Sequence, residues 1–165
     1  MAARSSTAER LAAALALACA CGLPRDPERT AERVAAHGLR VGVVLEAPWA
    51  CRLGVDSLAG AEVELVRRFA RMRGLDITFT RGGETRLLAA LRRFELDLVI
   101  GGLLADSPYA ATVGFTRGYH EADDGDHVLA VPPGENAWTM QLEAFLAGAD
   151  VDAALARGRA DCEAT

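Results

Sequence analysis

The chain has 165 residues, 51% hydrophobic and 25% charged, a composition typical of one globular domain with its own core. Its formal net charge of −5 argues against nucleic-acid binding, which usually needs a basic face. All 18 basic residues are arginines, so catalysis or phosphate binding by lysine is excluded.

Residues 1–21 are predicted to be an export signal. Two arginines precede an apolar run at 11–20 that is too short to span a bilayer, and small residues follow it, as in secretory signal peptides. The sequence ACACG at 18–22 resembles the cleavage box of bacterial lipoproteins. This resemblance implies lipidation at Cys21 and an exported, membrane-anchored protein in the periplasm or at the cell surface.

Residues 22–38 are predicted to be a tether that holds the domain away from the membrane. The stretch is charged, contains prolines, and ends in a pattern that favours a short helix closed by Gly38. Beyond the leader the chain has two cysteines, Cys51 and Cys162. In an oxidising compartment they either form a disulfide or remain unpaired thiols, and the sequence leaves both alternatives open.

Apolar periodicity predicts strands and helices in alternation from residue 39 onward. The strands are expected within 39–49, at 75–80 and at 96–102, and the helices at 57–74 and 84–94. The third strand is an unbroken apolar run, which indicates burial on both faces of a parallel sheet. The alternation predicts an α/β fold: a single three-layer lobe with a mostly parallel sheet flanked by helices.

The C-terminal part is expected to return to the same sheet. A strand at 128–131 and an amphipathic helix at 135–148 complete a predicted lobe spanning 39–148. Residues 149–165 are predicted to hold a last short helix, at 150–158, followed by a frayed tail.

No motif in the sequence points to catalysis, a cofactor or a metal. Ser57 lacks the glycine of a hydrolase elbow, and is predicted to cap the helix that follows it. The acidic stretch 123–126 lacks a twelve-residue calcium loop, and the glycines within 81–85 indicate an ordinary turn. The histidines are scattered and are expected to be exposed loop residues: His37, His120 and His127. An enzyme is therefore not expected.

Four segments in order, LRVGV…APW, GAEVELVRRFARMRG, LLAALRRFELDLVIGG and VGFTRGY, resemble the first lobe of family 3 extracellular solute-binding proteins, which have the type 2 periplasmic-binding fold. The resemblance covers residues 39–119 and 127–147. It implies binding of a small polar solute for ABC-type import, with a membrane permease or sensor as a partner. Some enzymes share this fold, and they remain a third alternative.

The chain departs from that family after Tyr119, where the second lobe should begin. Residues 120–126 stand in its place, far fewer than a lobe needs. The sequence therefore predicts one lobe closed on itself, with two alternatives for its function. It is either a solute-binding protein, degenerate because the second lobe is absent, or an interaction module that docks on a permease or sensor without binding a solute.

The resemblance also implies a ligand loop after the third strand. Amino-acid binders of the family carry a glycine, two threonines and then an arginine that grips the ligand carboxylate. The matching positions here are Gly102, Leu104, Asp106 and Tyr109. The carboxylate clamp is therefore missing, and Asp106 would repel a carboxylate.

Glu46 and Trp49 are expected to lie at the mouth of the same site. Together with Asp106 and Tyr109 they give two acids and two aromatic rings, which suit a cationic or an uncharged polar ligand. In the alternative, Trp49 packs against the lobe, Asp106 caps a short helix at 107–111, and nothing binds. One lobe alone would bind weakly unless a homodimer or partner protein supplies the other wall.

Overall fold

A five-stranded sheet forms the centre of the structure, a computed structural model that describes residues 26–55 and 57–164. Its strands, in the order in which they lie side by side, are β4 (Ile77–Arg81), β1 (Leu39–Val43), β5 (Leu98–Ile100), β9 (Ala130–Val131) and β6 (Gly114–Phe115). Strand β1 pairs in parallel with β4 and β5, whereas β9 runs antiparallel to β5 and β6. The predicted α/β fold with a mostly parallel sheet is confirmed.

Two short antiparallel pairs lie outside the central sheet. One joins β2 (Cys51–Leu53) to β3 (Ser57–Ala59), and the other joins β7 (His120–Ala122) to β8 (Gly125–His127). Neither pair was predicted. The second pair is a hairpin that occupies the place where a second lobe would be inserted.

Five α-helices and one short 3-10 helix complete the described part of the chain: α1 (Thr30–His37), α2 (Ala61–Arg73), α3 (Glu84–Arg92), the 3-10 helix Pro108–Ala111, α4 (Asn136–Leu146) and α5 (Val151–Glu163). The predicted helices at 57–74, 84–94 and 135–148 are present with shorter bounds. The N-cap predicted at Ser57 is wrong, because Ser57 pairs with Leu53 in a strand and α2 begins only after Gly60. No helix of the described residues is long and apolar enough to cross a membrane.

The sheet separates two hydrophobic clusters, as expected for a three-layer lobe. Leu98 and Ile100 on one face of β5 pack in the cluster of α2, α4 and α5. Val99 on the other face packs in the cluster of α3. All three side chains are fully buried, because successive residues of a strand point to opposite faces. The burial predicted for this strand is therefore confirmed.

The N-terminal segment packs against the lobe, although residues 22–38 were predicted to be a tether. The Glu135 carboxylate accepts hydrogen bonds from the backbone N–H groups of Glu28 and Thr30, at 2.8 and 2.6 Å. Val34 of α1 is buried in the core. The packed structure thus begins well before residue 39. The predicted signal peptide and its Cys21 lie outside the described residues.

A buried carboxylate ties this segment to the sheet. Asp97, immediately before β5, accepts hydrogen bonds from the guanidinium groups of Arg33 and Arg40 at 2.5 to 3.0 Å. The Asp97 carbonyl oxygen accepts one from the indole of Trp138 at 2.8 Å. This one residue connects α1, β1, β5 and α4.

The C-terminal segment is longer and more firmly held than predicted. Helix α5 runs to Glu163, past the short helix expected at 150–158, and lies against α2. Gly158 makes close packing possible, since a Cβ there would lie 2.5 Å from the backbone nitrogen of Ala61. Cys51 and Cys162 form a disulfide. The prediction of a frayed tail is wrong, because this bond links the last turns of α5 to β2.

Removal of the disulfide by the double substitution Cys51→Ser, Cys162→Ser is expected to lower the free energy of unfolding by about 2–4 kcal/mol. The bond joins residues 111 positions apart, so it restricts a large loop of the unfolded chain. Urea unfolding measures the loss. A reductant should reproduce it in the wild type and leave the variant unchanged. Equal stability of oxidised and reduced wild type would contradict the prediction.

Candidate functional site

A cleft of about 540 Å³ opens at the carboxyl edge of the sheet, where β1 and β5 end. The chain after β1 contributes Glu46, the first turn of α3 contributes Glu84, and the loop after β5 contributes Gly101 and Gly102. The carboxyl edge of an open α/β sheet is the common position for ligands in such folds. The cleft is therefore the candidate binding site.

The charge of the cleft has a single sign. Four carboxylates line it, and no arginine or histidine is among the described residues that do so. The carboxylates come from four separate elements: Glu46, Glu84, Asp106 and Asp124. Their combined field favours a cation over an anion.

Four of the residues predicted for the site line this cleft: Glu46, Gly102, Leu104 and Asp106. Trp49 lies beneath it and is only 6% exposed. A Cβ on Gly102 would lie 2.5 Å from the Trp49 ring, so the loop rests directly on the indole. Trp49 thus packs against the lobe, as in the alternative in which it makes no ligand contact.

Tyr109 also lies outside the lining of the cleft. Its hydroxyl shares a 2.7 Å hydrogen bond with the Thr85 hydroxyl at the start of α3. The cap of the 3-10 helix is Ser107, which accepts from the Tyr109 N–H at 3.4 Å. The capping role considered for Asp106 is therefore wrong, and its exposed carboxylate remains available to the cleft.

Sequence reasoning missed the residue that holds the loop in place, Glu62. Its fully buried carboxylate accepts hydrogen bonds from the backbone N–H groups of Gly101 and Gly102, at 2.5 and 3.2 Å, and from the Tyr119 hydroxyl. A signal was present in the sequence, because Glu62 falls on the apolar face of α2, three residues before Leu65.

Burial raises the pKa of Glu62 to about 6, although the hydrogen bonds from Tyr119, Gly101 and Gly102 act in the opposite direction. Burial first, and the Glu62 carboxylate second, raise the pKa of Tyr119 well above its ordinary range. Above about pH 6, therefore, Glu62 is ionised and accepts the hydrogen bond, and the Tyr119 hydroxyl keeps its proton and donates it. This contact joins the candidate ligand loop to the position where a second lobe would begin.

The hairpin β7–β8 covers Trp49 and corrects the prediction for two histidines. His127 is 1% exposed, and the centroid of its ring lies 4.0 Å from the centroid of the Trp49 ring. His120 is half-buried, with its ring 5.6 Å from the indole. Both were expected in exposed loops, but the hairpin folds back on the indole and encloses them. His37, at the end of α1, is exposed as predicted.

No protein-family model matches this chain, and no curated protein matches it significantly. Solved structures do match. Domain 1 of TmArgBP, in its arginine-bound form, aligns with a TM-score of 0.65 at 20% identity, over 71% of this chain and 98% of that one. An amino acid ABC transporter substrate-binding protein from Streptococcus pneumoniae, bound to L-arginine, aligns with a TM-score of 0.69 at 10% identity, over 81% and 98%.

A third match is an ancestral amino-acid-binding protein described as a precursor of cyclohexadienyl dehydratase, with a TM-score of 0.65 at 11% identity, over 81% and 98% of the two chains. These likenesses define the fold of the chain. It is that of a single lobe of the solute-binding proteins, and the resemblance read from the sequence is confirmed at that level.

Glu62 is expected to make the protein less stable as the pH rises from 4.5 to 6. Within that window the folded state keeps a proton that the unfolded state has released, so the free energy of unfolding falls by about 2 kcal/mol through this group. The substitution Glu62→Gln removes the titration. It also keeps an oxygen for the glycine N–H groups and offers an amide donor to Tyr119.

The measurement is urea unfolding of wild type and Glu62→Gln below and above the window. The difference in their free energies of unfolding should change by about 2 kcal/mol in favour of the variant at the higher pH. Glu64→Gln, the same chemical change on the same helix, is the control and should keep the pH dependence of the wild type. A difference that does not vary with pH would contradict the assignment.

Proposed function

We propose that this protein is an exported solute-binding lobe that takes a small organic cation in the cleft at the carboxyl edge of its sheet. The observation that carries the proposal is the lining of the cleft, with four carboxylates and no arginine among the described residues. A volume of about 540 Å³ is within the range of small-molecule sites, roughly 300–1,000 Å³.

The lining also restricts the ligand to cations that have no carboxylate. An α-amino acid brings a negative group as well as a positive one, and that group would meet only carboxylates here. The solved structures of similar fold that bind arginine support a cationic ligand. We therefore infer a diamine or a guanidino amine, whose two positive ends pair with carboxylates on different elements.

Export and a role in import belong to the same proposal. The disulfide between Cys51 and Cys162 is the kind of bond that persists in oxidising compartments outside the cytoplasm. It supports export by the predicted signal peptide, and lipidation at Cys21 with placement at the membrane belongs to the same proposal. The partner would then be a membrane permease that receives the solute.

One observation favours the second candidate, an interaction module that docks on a permease or sensor. Trp49, which the family resemblance placed against a ligand, is buried under Gly102 and stacked on His127. The cleft has therefore lost one aromatic surface that a ligand would use.

We assign no catalytic role, because the one cleft-side acid with a strongly raised pKa, Glu62, is fully buried behind the loop.

Titration calorimetry with agmatine and with arginine tests the ligand class, because the two differ by one carboxylate. Agmatine is expected to bind at least about tenfold more tightly, a difference of about 1.4 kcal/mol. Equal or tighter binding of arginine would contradict the ligand class. Heat only at millimolar concentrations of both would instead favour the docking module.

A matched pair of variants tests the site. The double substitution Glu84→Gln, Asp106→Asn is expected to weaken agmatine binding about tenfold, since it removes two charge contacts worth up to about 1 kcal/mol each. Glu121→Gln, Glu163→Gln makes the same charge change at exposed positions outside the cleft and should bind as the wild type does. Equally weakened agmatine binding in both double variants would mean that the change in net charge, and not the cleft, causes the loss.

A further inference from the structure

We propose that two copies of this chain associate face to face through the carboxyl edge of the sheet, so that each covers the other's cleft. The proposal goes beyond solute binding, since it concerns a protein surface that is present whether or not a ligand binds. It rests on charges of both signs that are exposed on this edge and on the exposed apolar side chains beside them.

Two exposed arginines lie at the β4 end of the edge. Arg52, in β2, and Arg81, the last residue of β4, both donate to the carbonyl oxygen of Val55, at 3.2 and 3.5 Å. This shared acceptor brings two guanidinium groups together at the tip of the β2–β3 hairpin. Both side chains are exposed, and neither forms an ion pair within the described residues.

The cleft on the same edge is acidic. Glu46, Glu84 and Asp106 line the cleft, and none of them has a cationic partner among the described side chains. Elsewhere arginines do find carboxylates, as Arg93 does with Glu95 at 2.8 Å. Exposed arginines and carboxylates, neither with an ion-pair partner among the described side chains, therefore lie on the same edge of the lobe.

Exposed apolar side chains lie on the same edge. Leu45 follows β1 and is 43% exposed, and Leu53 and Val55 of the hairpin are 45% and 76% exposed. They are three of the five large hydrophobic side chains that are exposed in the described part of the chain. Such a patch, bordered by charges, is typical of a protein contact rather than of a free surface.

A second copy is the occupant that fits this arrangement. In a two-fold interface a surface meets itself, so a stable contact needs both signs of charge on one patch. A two-fold axis near Leu45 places the arginines of each copy opposite the carboxylates of the other. The same contact covers Leu53 and Val55 and closes both clefts against water.

The test is a charge exchange followed by sedimentation velocity of the full chain without ligand. Wild type is expected to sediment as a dimer of 17.4 kDa chains. Arg52→Glu, Arg81→Glu replaces the two arginines by carboxylates, and Glu46→Arg, Asp106→Arg replaces two of the carboxylates by arginines. Each variant alone is expected to be a monomer. Like charges then face each other across the interface, which raises the dissociation constant of the dimer at least about tenfold. An equal mixture of the two variants should recover the dimer.

The recovery distinguishes the proposed contact from a folding defect, because unfolded variants would not restore each other. Arg68→Glu, Arg92→Glu reverses two exposed arginines away from this edge and should stay dimeric. A monomeric wild type at micromolar to millimolar concentration would overturn the proposal, as would a mixture that stays monomeric. These outcomes leave the calorimetric test of the ligand class unaffected, because no ligand is present.

Discussion

The fold of the site depends on one buried carboxylate. Glu62 lies in the first turn of α2 and accepts hydrogen bonds from two successive glycine N–H groups and from the Tyr119 hydroxyl. A buried carboxylate is costly unless its oxygens are satisfied, so the loop after β5 and the start of β7 must stay where they can donate to it. The same constraint explains the glycine at 101, whose φ is 130° and whose Cβ would meet the carbonyl oxygen of Val44 at 2.2 Å.

That constraint determines what the cleft can offer. Because Gly102 lies directly on Trp49 and the His127 ring centroid lies 4.0 Å from that of the indole, the indole is buried beneath the cleft. The charged side chains that line the cleft are four carboxylates on the surrounding elements. The hairpin β7–β8 occupies the place of a second lobe and contributes Asp124 to the cleft.

Periodic burial was readable from the sequence, whereas contacts between distant residues were not. The strand at 96–102 and the helix at 84–94 were predicted because each repeats its own apolar pattern locally. Ser57 was assigned wrongly because its capping residue type outweighed a strand pairing with Leu53 that only the tertiary structure shows. In the site, Glu46 and Asp106 were expected because of the family resemblance, which implies a ligand loop after the third strand. The role of Glu62 depends on donors about forty residues away, and no local pattern encodes such a distance.

The value of each carboxylate in the cleft depends on how much water surrounds it. Attraction between opposite charges at about 4 Å is roughly 1 kcal/mol in water and several times greater where water is excluded. A single open lobe stays near the lower limit, and exposed ion pairs of this kind contribute about 1 kcal/mol or less. When a second protein surface excludes water from the edge, the attraction that the same carboxylates exert on a positive charge approaches the higher limit without any change in sequence. The strength of the proposed cation binding therefore depends on what covers the carboxyl edge as much as on the residues that line it.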